Sequence, residues 1–299
     1  MTRHQKRMLK QAAKQICLHI LFIVICFVTL IPILYALSVS LNADNSLVSS
    51  DFRFIPKNFT LRNYVAVFTE EPVMLWFKNS MTLAVVTVVI SLAAAIPAAY
   101  AFSRMRFKGR KPILKQLVLL YSFPSVLSMF AIYTLLRPLG LINSKAGLIL
   151  IYTGTMAEFG LLNMKGYFDT IPREIEEAAE IDGANPLVVL FRILIPLTIP
   201  TIAVLILYYA VANWNSWFNA MLFLPKAKEK WPLQLVLRNL LIQNQTDDLT
   251  SGVAAADKFS VSETIKYATI IVSTLPILCL YPFLQKYFLK GVMVGSVKG

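Results

Sequence analysis

The sequence predicts an all-α integral membrane protein with six transmembrane helices. Three observations carry that prediction. Apolar runs long enough to cross a bilayer recur along the whole chain. Of the 299 residues, 57% are hydrophobic, and the mean hydropathy is +0.63, more than a soluble domain usually carries. Basic residues cluster at the ends of the apolar runs, as orientation signals do.

The spans follow in order. Residues 1–15 are basic and are expected in the cytosol, with Arg3, Lys6, Arg7, Lys10 and Lys14. The first run, Ile16 to Val39, is too long for a signal peptide, although Ala36-Leu37-Ser38 resembles a cleavage site. Residues 40–75 read as an ordered outside loop with a short helix around Leu61 to Phe68. The second run is Trp76 to Phe102, and Pro97 within it is tolerable where a helix lines a cavity. Arg104, Arg106, Lys108, Arg110, Lys111 and Lys115 follow without an acid, the strongest inside signal in the chain. The third run is Pro112 to Leu136, with Pro124 at its centre, and the fourth is Ala146 to Met164. The fifth is Leu197 to Leu224 and the sixth Thr264 to Phe288. Residues 225–262 are a second outside segment, whose Lys226, Lys228 and Lys230 run against the charge rule. The tail, 290–299, is basic and expected inside, which places both termini in the cytosol. The six spans form one membrane domain over 16–289.

Between the fourth and fifth runs lies a charged helical stretch, 169–196. Asp169 and Thr170 offer N-cap chemistry, and Pro172 suits a first turn. Glu174, Glu176 and Glu177 crowd the end where the helix dipole favours anions. Ile171, Ile175, Ala178 and Ala179 share one face at helical spacing, and the alanines make it shallow. Gly183 is placed to end the helix in the left-handed conformation, and Asn185-Pro186 reads as the start of a second helix. Arg192 either ties the loop back to the acidic face or meets lipid headgroups.

Composition excludes several classes. A net charge of +13 would suggest nucleic acid in a soluble chain, but here it marks membrane orientation, and no nucleic-acid partner is expected. Two histidines, His4 and His19, leave little for metal binding or His-based catalysis. The three cysteines sit inside apolar runs and suggest no disulfide framework. There is no G-x-x-x-x-G-K-[ST], G-x-S-x-G or H-E-x-x-H, so the chain is not expected to bind ATP or to be an enzyme.

The charged stretch carries a resemblance. Glu177-Ala178-Ala179, three residues, Gly183, nine residues, and Ile193-x-Ile195-Pro196 resemble the EAA loop of ABC importer membrane subunits. The family prefers Leu where this chain has Ile195. Phe102 to Phe107, Lys165-Gly166-Tyr167-Phe168 and the ending from Gly291 are similar to maltose-type permeases. Asn213 to Phe218, Pro232 to Arg238, Lys266 to Thr269 and Tyr281 to Lys286 resemble a branch importing complex oligosaccharides. That branch includes importers of uronate chains such as aldouronate and alginate fragments. The resemblance implies a type I importer permease fold. It implies a second homologous permease, two ATPase subunits holding ATP and magnesium, and an extracytoplasmic solute-binding protein. It also implies that Glu177, Ala178, Ala179, Asp182 and Gly183 form the contact and turn of a coupling helix on the ATPase. An amino-acid or peptide permease and a stand-alone secondary transporter are the alternatives, the latter lacking buried acid pairs and inverted repeats.

Substrate residues are expected near the bilayer midplane. Glu158 is an ionisable residue in an apolar run, marking either a pathway or a partnered polar site. Asn213, Trp214, Asn215, Trp217 and Asn219 are either a sugar-binding set or an interface belt. Helical spacing would put Asn215 with Asn219 and Trp214 with Trp217. Tyr121, with Ser122 and Pro124, is a further candidate for the same cavity. Lys226, Lys228 and Lys230 either draw acidic chains to the outer mouth or are a solvated loop.

Overall fold

A computed structural model describes residues 3–43, 55–56, 58–69, 72–247, 264–282 and 285. Among these the chain is helical, with one isolated antiparallel bridge, Asn42 to Phe59, and no strand. The helices are α1 (Arg3–Ser40), α2 (Arg62–Thr69), α3 (Val73–Arg104), α4 (Arg110–Tyr121), α5 (Ser125–Leu136) and α6 (Lys145–Phe168). After them come α7 (Glu174–Ile181), α8 (Pro186–Val188), α9 (Ile195–Trp214), α10 (Phe218–Phe223) and α11 (Leu233–Asp247). A twelfth, α12, covers Thr264–Pro282. The predicted tail, residues 248–262 and the end of the sixth run at Phe288 lie outside the described residues.

Among the described residues, five helices are long and apolar enough to cross a membrane: Lys14–Ser40 of α1, α3, α6, the continuous helix Pro186–Trp214, and α12. The third predicted span, Pro112 to Leu136, is not one straight helix. α4 and α5 meet at a bend of 103° around Ser122 to Pro124. Pro124 has no N–H and turns its predecessor away from helical geometry, so the ladder stops there. Pro124 itself sits at φ −60°, ψ 111° and starts α5. The Ser122 hydroxyl donates to the Val118 carbonyl at 2.9 Å, giving the end of α4 a partner. By contrast Pro97 breaks nothing: α3 runs through it for 32 residues, and Pro97 faces outward.

The fifth span differs as well. It begins at Pro186, not Leu197, and ends at Trp214, not Leu224. Val189–Leu194 is a π-helical turn within it. Pro196 cannot donate to the Arg192 carbonyl, and the wider turn just before it accommodates that loss. The Thr198 hydroxyl, fully buried, returns a bond to the Leu194 carbonyl at 3.0 Å.

The chain divides into two compact units. The first comprises Met1–Pro72 and Leu240–Val272. In it α1 exposes nearly every large apolar side chain from Ile16 to Leu37, the surface a lipid-facing helix presents. Asn63 donates to the Ser40 and Asn42 carbonyls at 2.9 Å each, which pins the expected short helix, found as α2, against the end of α1.

The second unit comprises Val73–Asn239 and Ser273–Gly299. One cluster there joins α3 (Ile96, Ala99, Tyr100), α6 (Met164, Phe168) and the fifth span (Leu190, Leu194, Tyr209). Gly160 makes this close packing possible. A Cβ there would collide with the Tyr209 hydroxyl and lie 3.0 Å from Ala95 Cβ. Small residues serve this purpose between membrane helices, where no hydrophobic force draws helices together. A second cluster joins Leu83, Leu136, Leu148, Tyr152, Phe223 and Leu235.

Candidate functional site

Two regions of the second unit carry the residues singled out from the sequence. The first is the loop around α7. Its left-handed ending is as expected: Gly183 has φ +85°. The Ala184 N–H bonds to the Ala179 carbonyl at 2.9 Å and the Gly183 N–H to the Glu180 carbonyl at 3.0 Å. This pair of bonds is the Schellman closure, and it satisfies carbonyls that the helix end leaves open. Asn185 caps the next helix as its spacing predicts, accepting from the Val188 N–H at 2.9 Å, with Pro186 in the first turn.

The start of α7 departs from expectation. Asp169 does not cap it; the N-cap is Arg173, with no side-chain bond. Asp169 instead ends α6 and accepts from Ser103 Oγ at 2.6 Å and Lys165 Nζ at 2.5 Å. Burial pushes its carboxyl up, but the Lys165 and Ser103 bonds and the Lys165 and Arg104 charges outweigh that and hold it below the usual carboxylate range. Thr170 turns its hydroxyl back to the Tyr167 carbonyl at 2.7 Å.

The shallow face expected of Ile171, Ile175, Ala178 and Ala179 is split: Ile175 and Ala178 are exposed, while Ile171 and Ala179 pack on the core. Glu176 is 7% exposed, and Ala179 packs on the first core cluster with Ile171 and Ala184. Ile175 and Ala178 face outward with Glu177, Asp182 and Gly183, and Ile181 is 86% exposed. Periodicity alone cannot say which of two partly apolar faces is covered, and a buried ion pair decides it here. Arg104 Nε lies 2.5 Å from Glu176 Oε1. Burial pushes the Glu176 carboxyl up, against the Arg104 charge and bond. Among the described residues no ion pair includes Arg192, which is exposed; Arg104 makes the tie to the acidic helix instead.

The second region is a cavity of about 320 Å³ lined by α4, α5, α6, α9 and α10. It brings together Tyr121, Glu158 and Asn219 from the predicted set. It adds Thr155, Phe159 and Tyr208, which the sequence reading missed. Phe159 and Tyr208 stack with centroids 4.5 Å apart, and Tyr121 lies 5.9 Å from Phe159. Glu158 Oε1 and Asn219 Oδ1 are buried acceptors that meet no hydrogen-bond donor among the described residues. Aromatic residues spaced through apolar runs give no signal in sequence that separates this stack from ordinary packing.

The other predicted substrate residues do not share that cavity. The helix ends at Trp214, so the expected faces of Asn215 with Asn219 and Trp214 with Trp217 do not exist. Asn213 is buried and donates to the Tyr209 carbonyl at 2.9 Å and Met156 Sδ at 3.1 Å. The buried Trp214 donates to the Ser273 carbonyl at 2.9 Å and meets Phe77 edge-on at 5.6 Å. Asn215 is exposed in the break, where the Tyr152 and Ser216 hydroxyls bond at 2.7 Å. Arg238 stacks over Trp217 at 4.3 Å. Lys228 lies 5.9 Å over Trp231 in its own loop, and Lys230 donates to the Asn143 carbonyl at 2.8 Å, tying that loop to the turn between α5 and α6.

Residues 91–294 match the family described as the binding-protein-dependent transport system inner membrane component. Protein LplC of Bacillus subtilis is 36% identical over 91% of this chain and 90% of its own length. The polygalacturonan/rhamnogalacturonan transport system permease protein YtcP of the same organism is 34% identical over 94% and 95%. Among solved structures, a chain of a bacterial ABC transporter involved in import of the acidic polysaccharide alginate superposes with TM-score 0.80. It is 29% identical and is covered over 99% of its length, with 96% of this chain. A stand-alone secondary transporter is thereby set aside. With an apolar helical bundle, an exposed loop closed by Gly183 and a match across both regions, the chain belongs to the inner-membrane permease family of binding-protein-dependent transport systems.

Proposed function

We propose that this chain is one of two permease subunits of an ATP-driven oligosaccharide importer. It contributes half of the sugar pathway and one docking helix for an ATPase subunit. The observation that carries the reading is the outward face of α7: Ile175, Ala178, Ile181 and Asp182 stand exposed on a helix whose other face is locked to the core. An amphipathic helix exposed in this way suits a groove on a partner. Glu177, Ala178, Asp182 and Gly183 are its docking and turn residues, and Ala179 seats the helix on its own bundle. ATP and magnesium are held by two ATPase subunits. A second homologous permease completes the pathway, and an extracytoplasmic binding protein delivers the sugar. Both termini face the cytosol, and the α4–α5 pair crosses as a broken span.

In the cavity, the Phe159–Tyr208 stack and Tyr121 offer ring faces to sugar rings, and Glu158 and Asn219 offer acceptors to hydroxyls. The names of the relatives and of the solved importer favour a complex, uronate-containing chain. The lining holds one carboxylate and neither lysine nor arginine. An acidic cargo would therefore take its positive partner from the second permease. The test is ATPase activity of the reconstituted complex against neutral and uronate oligosaccharides presented by the binding protein. Stimulation by one class identifies the cargo. A complex that captures no ATPase overturns the reading.

A further inference from the structure

The carboxylates at the head of α7 are not equivalent. Glu174 and Glu177 are exposed, whereas Glu176 is turned onto the end of α3. There it meets Arg104 at 2.5 Å, with side-chain exposures of 9% and 8%. The same guanidinium donates from Nη2 to the Ile171 carbonyl at 2.9 Å. One residue earlier, Ser103 Oγ donates to Asp169 at 2.6 Å. The last two residues of α3 therefore grip the segment leading into α7 at Asp169, Ile171 and Glu176. The helix they hold has eight residues and no side-chain N-cap, too short to keep its own orientation. Buried ion pairs are poor sources of net stability, since apolar replacements often do as well. What such a pair supplies is direction.

We infer that Arg104 and Glu176 form a strut that transmits displacement of α7 to α3. The inference rests on the proposed docking of α7 on an ATPase. α3 is not the chain neighbour of α7; Ala179 meets the core that α3 shares by apolar packing, and the strut adds a direct charged tie from α7 to the end of α3. From α3 the path to the cavity is short. Ala95 packs on Gly160, beside Glu158 and Phe159, and Gly160 meets Tyr209, next to Tyr208. Arg104 and Glu176 are positioning residues; neither touches the cavity.

The test uses the complete complex of both permeases, the ATPase and the binding protein, reconstituted in liposomes. Transport per ATP hydrolysed is compared for R104E, E176R and the R104E/E176R exchange. Each single variant is expected to capture the ATPase yet lose about tenfold or more in that ratio, the scale of a coupling free energy between sites. The exchange is expected to recover most of it. A purely structural role would lower the amount of complex without changing the ratio. Single variants at the wild-type ratio, or an exchange no better than either single, would overturn the strut. Should the charge reversals fail to assemble, Glu176→Gln keeps the shape and removes the charge; a wild-type ratio there overturns it equally. The docking reading is tested separately at Glu177→Ala and Gly183→Val. Normal transport in both removes the docking surface, whatever the strut variants do.

Discussion

Replacing Gly183 separates backbone strain from contact. The residue sits at φ +85°, and a Cβ there would meet nothing within 4 Å. Any cost within this chain is therefore conformational. An L-residue in the left-handed region pays about 1–2 kcal/mol, and a β-branched side chain pays more because its χ1 is already restricted. Relief of that strain would open the bonds from Ala184 to Ala179 and from Gly183 to Glu180. The end of an eight-residue helix would fray. A shift of 1–2 kcal/mol changes the properly closed fraction by a factor of about 5–30. The expected order of uptake is Gly, then Asn, then Ala, then Val, because Asn adopts the left-handed region more readily. Uptake would be measured in vesicles holding equal amounts of each permease, with membrane insertion checked by protease protection. Equal uptake by Gly183→Val would refute the strain argument. Uptake by Gly183→Asn as poor as by Gly183→Val would instead mean that a partner's surface excludes any side chain there.

Three further outcomes follow from the geometry. Gly160→Ala should lower the thermal stability of the purified chain by about 1–3 kcal/mol through overpacking against Tyr209 and Ala95; Gly154→Ala, with open space around it, is the control and should change little. Asp169 has its pKa lowered in the folded chain, so its contribution is present above the unfolded carboxylate pKa and is lost as pH falls through the folded value; Asp169→Asn should flatten the acid side of a melting-temperature profile, and an unchanged profile would refute the assignment. Trp214→Phe removes the donor to the Ser273 carbonyl and should cost about 1–3 kcal/mol in stability while leaving sugar preference intact; an altered preference would return Trp214 to the substrate path.

Much of this molecule is written in local pattern. Long apolar runs dictate helices because a bilayer leaves backbone groups no other partner, and the basic stretch from Arg104 to Lys115 is the signal on which the proposed direction rests. Gly183 and Asn185-Pro186 punctuate the loop by φ preference and missing N–H groups, which are properties of single residues. Tertiary structure decided the rest. Pro124 stands in a span much as Pro97 does, yet only the chain around Pro124 turns by 103°. α3 is packed along its length around Pro97, while α4 buries no residue and α5 only Leu136. The face of α7 that turns inward depends on Arg104, distant in sequence and one of six basic residues in its stretch. The tryptophan and asparagine set divided into bundle contacts and cavity lining because the helix stops at Trp214. Periodicity places side chains around one helix, but only a second helix selects which of them are covered, and that selection is a long-range contact no local pattern contains.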